Sequence, residues 1–375
     1  MRLVKNAVLL RYSEIGLKSR RTRREMERLL IENVKESLMS RGIPFASVVK
    51  RASRIVVYTV DERAPRVLSK VFGVRSVSHA VELPADLEVM KRAAVELASR
   101  SSGSFAVRIQ RITKEFPLTS VDLARIIGGA VKASTGRPVD LSSPDQTIFI
   151  EIIQESAYLF DSRIEGPGGL PLGSQGSAVA LVSGGIDSPV AAWMMMRRGV
   201  SVRPVHMRLT EEGERQFLRA VSALEEYSPR ALDPIVVDHR ETMEEVVLRL
   251  KDAGALEWTC IFCKRLMLLE ALRTARRVGA APAVVTGESI GQVASQTLAN
   301  MAVISRGIDA LILRPLVGMN KEDIVKLAER IGVMSGYRPI ECPIRPARVL
   351  TGASWDRFVK VAREAGLATL AGVES

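Results

Sequence analysis

The pattern of apolar and polar positions divides this chain near residue 170. In the first stretch, short β-branched runs separate helices of period 3.6: residues 7–12 (AVLLRY) predict a strand, 22–41 an amphipathic helix, and 45–60 (FASVVKRASRIVVYTV) strand material around a turn. Alternation at 74–83 (VRSVSHAVEL) and 105–112 (FAVRIQRI) predicts strands on either side of a helix over 86–101. A further helix is expected over 119–135, capped by Thr119 or Ser120, and TIFIEII and SAYLFDSRI add two strands. The expectation is two small α+β domains, residues 1–60 and 61–165.

Residues 166–177, GPGGLPLGSQGS, have no periodic apolar pattern and predict a linker. Beyond it, over 178–375, strand-like runs (AVALVS, VSVRPVHMR, DPIVVDH, PAVVTG) alternate with helical ones at 188–198, 211–227, 241–253 and 264–278, and a last helix follows at 321–331. Such βαβα order predicts a doubly wound parallel sheet with ligands at the carboxyl ends of its strands. No internal repeat interrupts it.

Composition changes the picture in two ways. With 375 residues and 47% hydrophobic content the chain can bury ample core, yet no apolar stretch approaches the roughly 18 residues of a membrane span. The N-terminus also lacks a signal peptide's cleavage site, so a cytoplasmic protein with no membrane partner is expected. Charge is lopsided: of the net +12, residues 1–60 hold 14 basic and 5 acidic side chains, which points to a polyanion such as RNA or DNA.

The most informative string is Ser183-Gly184-Gly185-Ile186-Asp187-Ser188. Two glycines and two hydroxyls at the first strand-to-helix turn suit a phosphate, which meets free N–H groups and the positive end of a helix dipole there. Asp187 makes sense beside a polyphosphate mainly as a holder of Mg2+ or of the nucleotide. The string lacks the Gly-Lys-Ser/Thr of a P-loop NTPase, and no G-x-G-x-x-G dinucleotide fingerprint accompanies it. Of the three cysteines, Cys260 and Cys263 form a C-x-x-C pair and Cys342 stands apart. The pair alone fits a redox dithiol, half a zinc site or part of an iron–sulfur site.

The SGGIDS string resembles that of the PP-loop family, which cleaves ATP to AMP and pyrophosphate on an adenine nucleotide alpha hydrolase-like fold. The resemblance implies that the loop grips pyrophosphate, that backbone around Leu181, Val182, His206 and Met207 lies against adenosine, and that Gly287 and Gln296 also contact the nucleotide. GGIDSPVAAWMMMRRG, VTGESIGQVASQTLANM and LRPLVGMNKEDIVKLAERIG resemble the tRNA 4-thiouridine synthetase family. RYSEIGLKSRRTRREMERLL is similar to its ferredoxin-like domain and VDLSSPDQTIFIEI to its RNA-binding THUMP domain. Implied are tRNA as partner, a uridine at position 8 as target, and a homodimer. Arg20, Arg21, Arg23 and Arg24, in the tail of the first strand, become the expected phosphate contacts.

With this resemblance, three cysteines suit a three-iron cluster, or a four-iron cluster with one open iron, as in archaeal-type members. Bacterial members carry a rhodanese domain after the catalytic one, with a persulfide relay and a role in thiamine biosynthesis, and this chain is expected to lack all three. Cys342 aligns with the working cysteine of the bacterial catalytic domain, so a persulfide on Cys342 is the alternative sulfur carrier; the expected sulfur donor is free sulfide for a cluster or a cysteine desulfurase persulfide for Cys342. The implied chemistry is attack of uridine O4 on the α-phosphorus of ATP, with Mg2+ and Lys321 or Arg265 offsetting charge, followed by displacement of AMP by sulfur. Arg265, beside the C-x-x-C pair, is expected to link the nucleotide and cysteine halves of the site. A thiolase for another nucleotide, or a THUMP RNA-binding protein without catalysis, are the rival readings.

Overall fold

The computed structural model of the chain describes residues 3–373, and these form two compact units, the chain passing from one to the other between Pro171 and Leu172. In the N-terminal unit, β1 (Ala7–Tyr12) passes through a 3-10 turn into α1 (Arg20–Met39), whose N-cap Ser19 accepts the Thr22 N–H. The hairpin β2 (Ser47–Arg51) and β3 (Arg54–Tyr58), the short α2 (Ala64–Leu68) and the long β4 (Val74–Pro84) follow. Next come α3 (Leu87–Ala98), β5 (Phe105–Arg111), α4 (Ser120–Thr135), β6 (Gln146–Ile153), β7 (Ser156–Phe160) and β8 (Ile164–Glu165). Thr119 caps α4 by accepting the Asp122 N–H.

The two α+β domains expected from the sequence share one sheet, ordered β2-β3-β1-β4-β7-β6-β5. β4 makes it continuous, because residues 74–80 pair with β1 and residues 81–84 with β7. Helix α1 buries Met26, Leu30, Val34 and Leu38, four residues apart, against Val8, Leu10, Ile55 and Val57 of one half. Helices α3 and α4 bury Met90, Ala94, Leu123, Ile127 and Val131 against the other half. On the opposite face, Glu151 of β6 accepts from Arg11 of β1 at 2.7 Å and Arg54 of β3 at 2.8 Å, so the sheet curls until its two halves meet through an ion group. The linker is tied down: Gly166 and Gly168 donate to Arg75 and Val74 carbonyls, and Leu170 enters the α1 core.

The C-terminal unit runs β9 (Ser177–Leu181), α5 (Asp187–Arg197), β10 (Ser201–Arg208), α6 (Glu211–Glu225), β11 (Ile235–Asp238), α7 (Arg240–Asp252) and α8 (Thr259–Arg277). It continues with β12 (Ala283–Val285), α9 (Leu298–Ser305), β13 (Leu311–Leu313), α10 (Lys321–Ile331) and α11 (Trp355–Glu364). All five strands are parallel in the order β11-β10-β9-β12-β13. The chain moves from β9 to one side and returns to the other, so a topological switch point opens beyond the ends of β9 and β12. Among the described residues no helix is long and apolar enough to cross a membrane.

Candidate active site

At the switch point the chain leaves β9 as Ser183-Gly184-Gly185-Ile186 and enters α5 at Asp187. The loop closes on its own hydroxyls: the Ser183 N–H donates to Ser188 Oγ at 2.8 Å, the two hydroxyls lie 3.0 Å apart, and the Gly185 N–H donates to Ser183 Oγ. Gly287, just after β12, lies against this turn. A Cβ there would sit 2.5 Å from the Ser188 nitrogen, so only glycine lets the two loops touch. His206, near the end of β10, places Nδ1 3.0 Å from the Val182 carbonyl, which fixes the proton on Nδ1. Burial pushes its pKa down, so the ring is neutral.

These elements enclose a cavity of about 230 Å3. Leu181, Val182, Ser183, Asp187, Ser188, His206, Met207, Gly287 and Gln296, named above as expected nucleotide contacts, all line it. Asp187 accepts from Lys321 Nζ at 2.6 Å and from Gln292 Nε2 at 2.7 Å, so the first residue of α10 reaches the first residue of α5. Gly184 and Gly185 line a second cavity of about 700 Å3, which shares Ser183, His206, Met207, Lys264 and Met267 with the first.

All three cysteines line that larger cavity. Helix α8 begins at Thr259, five residues before the sequence expectation, so Cys260 and Cys263 occupy its first turns, three apart and on one side. Burial pushes the Cys263 thiol up to about 12, reinforced by Cys342 and Cys260, and raises Cys260 in the same way. Cys342 is exposed, on a segment tethered where the Gln216 amide clasps the Arg338 backbone at both N–H and C=O. Among the described residues no three His, Cys, Asp or Glu side chains are gathered tightly enough for a single metal ion. The three thiols line one cavity, and thiolates are the residue type by which iron–sulfur clusters are held.

Arg265 departs from expectation. It is 1% exposed and points away from both cavities. Its guanidinium donates to the carbonyls of Ala371 at 2.6 Å and Arg306 at 2.7 Å, with longer bonds to Val303, Ile304 and Gly372, and it packs on Trp355 and Phe358. The physical reason is helical phase: neighbours on a helix point about 100° apart, so when Lys264 faces the cavities Arg265 faces the core. Lys264, which the sequence reading passed over, lies on the wall common to both cavities and pairs with Glu288 at 3.0 Å. Burial raises the Glu288 pKa, but Lys264 and Arg314 outweigh it and hold the carboxyl below its usual range. The signal was present in TGES, where the residue after the close-approach glycine is acidic.

The expected arginines also divide. They sit on the first turns of α1, after the 3-10 turn and not in the tail of β1. Arg20, Arg21 and Arg24 are exposed, Arg21 in an ion pair with Glu25. Arg23 is half-buried and committed to Glu27 at 2.9 Å and to the Tyr12 hydroxyl.

Comparison with known proteins places these features in context. The family model described as thiamine biosynthesis protein (ThiI) matches residues 173–365, the ThiI ferredoxin-like domain 7–78, and the THUMP domain 84–160. A probable tRNA sulfurtransferase of Thermococcus kodakarensis is 39% identical over 366 residues, covering 95% of this chain and 96% of its own length. Another from Methanocaldococcus jannaschii is 38% identical, covering 96% and 97%. Among solved structures, a 4-thiouridine synthetase in complex with RNA and bound ATP aligns with a TM-score of 0.83 at 28% identity, over 99% of this chain and 97% of that one. PH1313 from Pyrococcus horikoshii aligns at 0.70 and 29% identity, over 87% of this chain and 99% of that one. The chain therefore belongs to the ThiI family of tRNA sulfurtransferases, with that family's ferredoxin-like, THUMP and PP-loop parts in one polypeptide.

Proposed function

We propose that this protein is the ATP-dependent tRNA sulfurtransferase that converts a uridine, at position 8 of tRNA, to 4-thiouridine. The observation that carries the reading is the wall shared by two adjoining cavities, both lined by residues of the SGGIDS turn and one of them by the three cysteines. Uridine O4 is a poor leaving group, and making it part of AMP lowers the barrier to its loss. O4 attacks the α-phosphorus of ATP, and pyrophosphate leaves into the turn formed by Ser183, Gly184, Gly185 and Ser188, whose N–H groups and helix end favour the developing charge. Lys264, on the wall of both cavities, and Lys321, held on Asp187, supply positive charge to offset that of the phosphates.

Asp187 would hold Mg2+, with nucleotide oxygens and water completing its shell, and the ion would neutralise phosphate charge. Cys260, Cys263 and Cys342 would hold an iron–sulfur cluster that, when bound, keeps sulfide in reserve at an open iron. In the second step sulfide forms a bond to C4, the C4–O bond breaks to release AMP, and the sulfur loses its proton as C4=S forms. The target base must leave its stack to reach this site. RNA shape and backbone contacts carry recognition, with a homodimer as the assembly and a cytoplasmic location.

The test is anaerobic purification, quantification of iron and acid-labile sulfide, and single-turnover assay with unmodified tRNA, ATP and sulfide. AMP, pyrophosphate and 4-thiouridine are expected in equal amounts, and only with iron bound. Thiolation that proceeds without iron when cysteine and a cysteine desulfurase replace sulfide as the donor, and that dies in C342S, makes Cys342 a persulfide carrier and removes the cluster. Absence of tRNA-dependent AMP formation in the iron-loaded protein overturns the reading altogether.

A further inference from the structure

Glu288 is 8% exposed, sits one residue beyond the glycine that touches the SGGIDS turn, and lines the nucleotide cavity. Both its oxygens are spoken for. Oε1 accepts from Lys264 Nζ at 3.0 Å, and Oε2 accepts from Arg314 Nε at 2.7 Å and from the Thr286 hydroxyl at 3.2 Å. Arg314 is itself fixed by donating through Nη2 to Ser305 Oγ at 2.7 Å. A carboxylate with one cation on each oxygen is an aiming device when only one of those cations reaches a cavity. Lys264 lines both cavities, and Arg314 lines neither.

We infer that Glu288 is a positioning residue whose task is to hold the Lys264 ammonium at the boundary between the nucleotide and cysteine cavities, with Arg314 and Thr286 anchoring the carboxylate. A lysine has four rotatable side-chain bonds and presents a compact charge, so without a fixed acceptor its ammonium samples many positions. The far side of the carboxylate is clamped by groups that belong to the sheet, Thr286 just after β12 and Arg314 just after β13. The charge of Lys264 is thereby referenced to the same strands that carry Gly287 against the loop, and loop and ammonium move as one body. Glu288 touches no reacting atom and acts through Lys264. The inference rests on the activity proposed above.

The test is a double-mutant cycle on the full-length protein, read as the single-turnover rate of pyrophosphate release with tRNA, alongside the ATP dissociation constant and the melting temperature. E288Q keeps the shape and the bond to Arg314 but loses the ion pair to Lys264. A loss of about 10- to 100-fold in rate is expected, with ATP affinity less affected, because a misplaced group costs rate more than binding. K264M is expected to lose as much or more. The double variant should be no slower than K264M within about twofold, since effects routed through one residue do not add. Multiplicative losses would overturn the inference, as would a K264M protein that releases pyrophosphate at the parent rate. Should E288Q melt below the assay temperature, E288D keeps the charge while withdrawing it by one methylene, and the same non-additivity is required of it. A parent protein that shows no tRNA-dependent pyrophosphate release condemns the proposed function instead, so the two failures are distinguishable.

Discussion

Replacing Arg265 with methionine removes a buried cation whose partners are all backbone carbonyls. Two of its bonds are short, to Ala371 at 2.6 Å and to Arg306 at 2.7 Å. A hydrogen bond from a charged donor contributes about 1.5–3 kcal/mol, so these two account for roughly 3–6 kcal/mol before the cost of burying the charge is subtracted. Methionine fills part of the volume against Trp355 and Phe358 but leaves those carbonyls dry and unpaired. Leaving a buried carbonyl unpaired costs about 1–3 kcal/mol, so the two together cost about 2–6 kcal/mol. For a unit of about 200 residues that corresponds to a fall of roughly 4–24 °C in melting temperature. The C-terminal helix α11 should loosen first, because Arg265 ties the segment after it to the end of α9. The assay is thermal unfolding with and without ATP, together with ATP affinity measured well below the transition. R265M should melt early and bind ATP normally where it is folded, whereas K264M should melt close to the parent and lose turnover. An R265M protein with parental stability and weakened ATP binding would refute this account and return Arg265 to the nucleotide.

Two other outcomes follow from geometry and charge. Substituting Arg20, Arg21 and Arg24 together by glutamine should weaken tRNA binding and reduce the slope of log affinity against log salt by about 2–3, measured by titration between 50 and 300 mM salt, since each lost phosphate contact removes about 0.9. R23Q should leave that slope alone and instead lower the melting temperature, through loss of the pair with Glu27. Burial holds both His206 and His239 below the usual imidazole range, so they are neutral in the folded state and gain protons on unfolding. The stability they contribute is fully present above about pH 6.5 and declines as the pH falls. Unfolding free energies at pH 7.5 and pH 5 should therefore differ less in H239Q than in the parent, and an equal difference would exclude burial of a neutral ring as the cause.

Most of the fold was legible because its strands and helices repeat their apolar residues at the right period, as α1 does with Met26, Leu30, Val34 and Leu38. What escaped was short or evenly apolar. β13 is three residues long, and α9 (LANMAVIS) has no polar face to reveal a period. Helix α11 is different, because Trp355, Phe358 and Ala362 do mark a stripe that the reading simply did not reach. In the site, the residues of the SGGIDS turn were visible because the turn is continuous in sequence and its glycines have one physical use. Lys264 and Arg265 were indistinguishable, because two adjacent basic residues carry no information about helical phase until the buried face of α8 is known. The ion group at Glu151 was invisible for a related reason: its partners are Arg11 of β1, Arg54 of β3 and Arg163 beyond β7, and nothing local announces that the sheet curls.

That curl has a practical corollary for anyone who wishes to borrow the RNA-binding half alone. β4 gives its first seven residues to β1 and its last four to β7, so it belongs to neither half and cannot be divided between them. A fragment cut at residue 60 or at residue 84 would leave a row of unpaired backbone groups along β1 or β7, the kind of edge that recruits other strands and aggregates. The modular boundary written in the chain's family architecture is therefore not a boundary in its hydrogen bonding. The portable piece is the whole of residues 3–171, inherited and engineered as one.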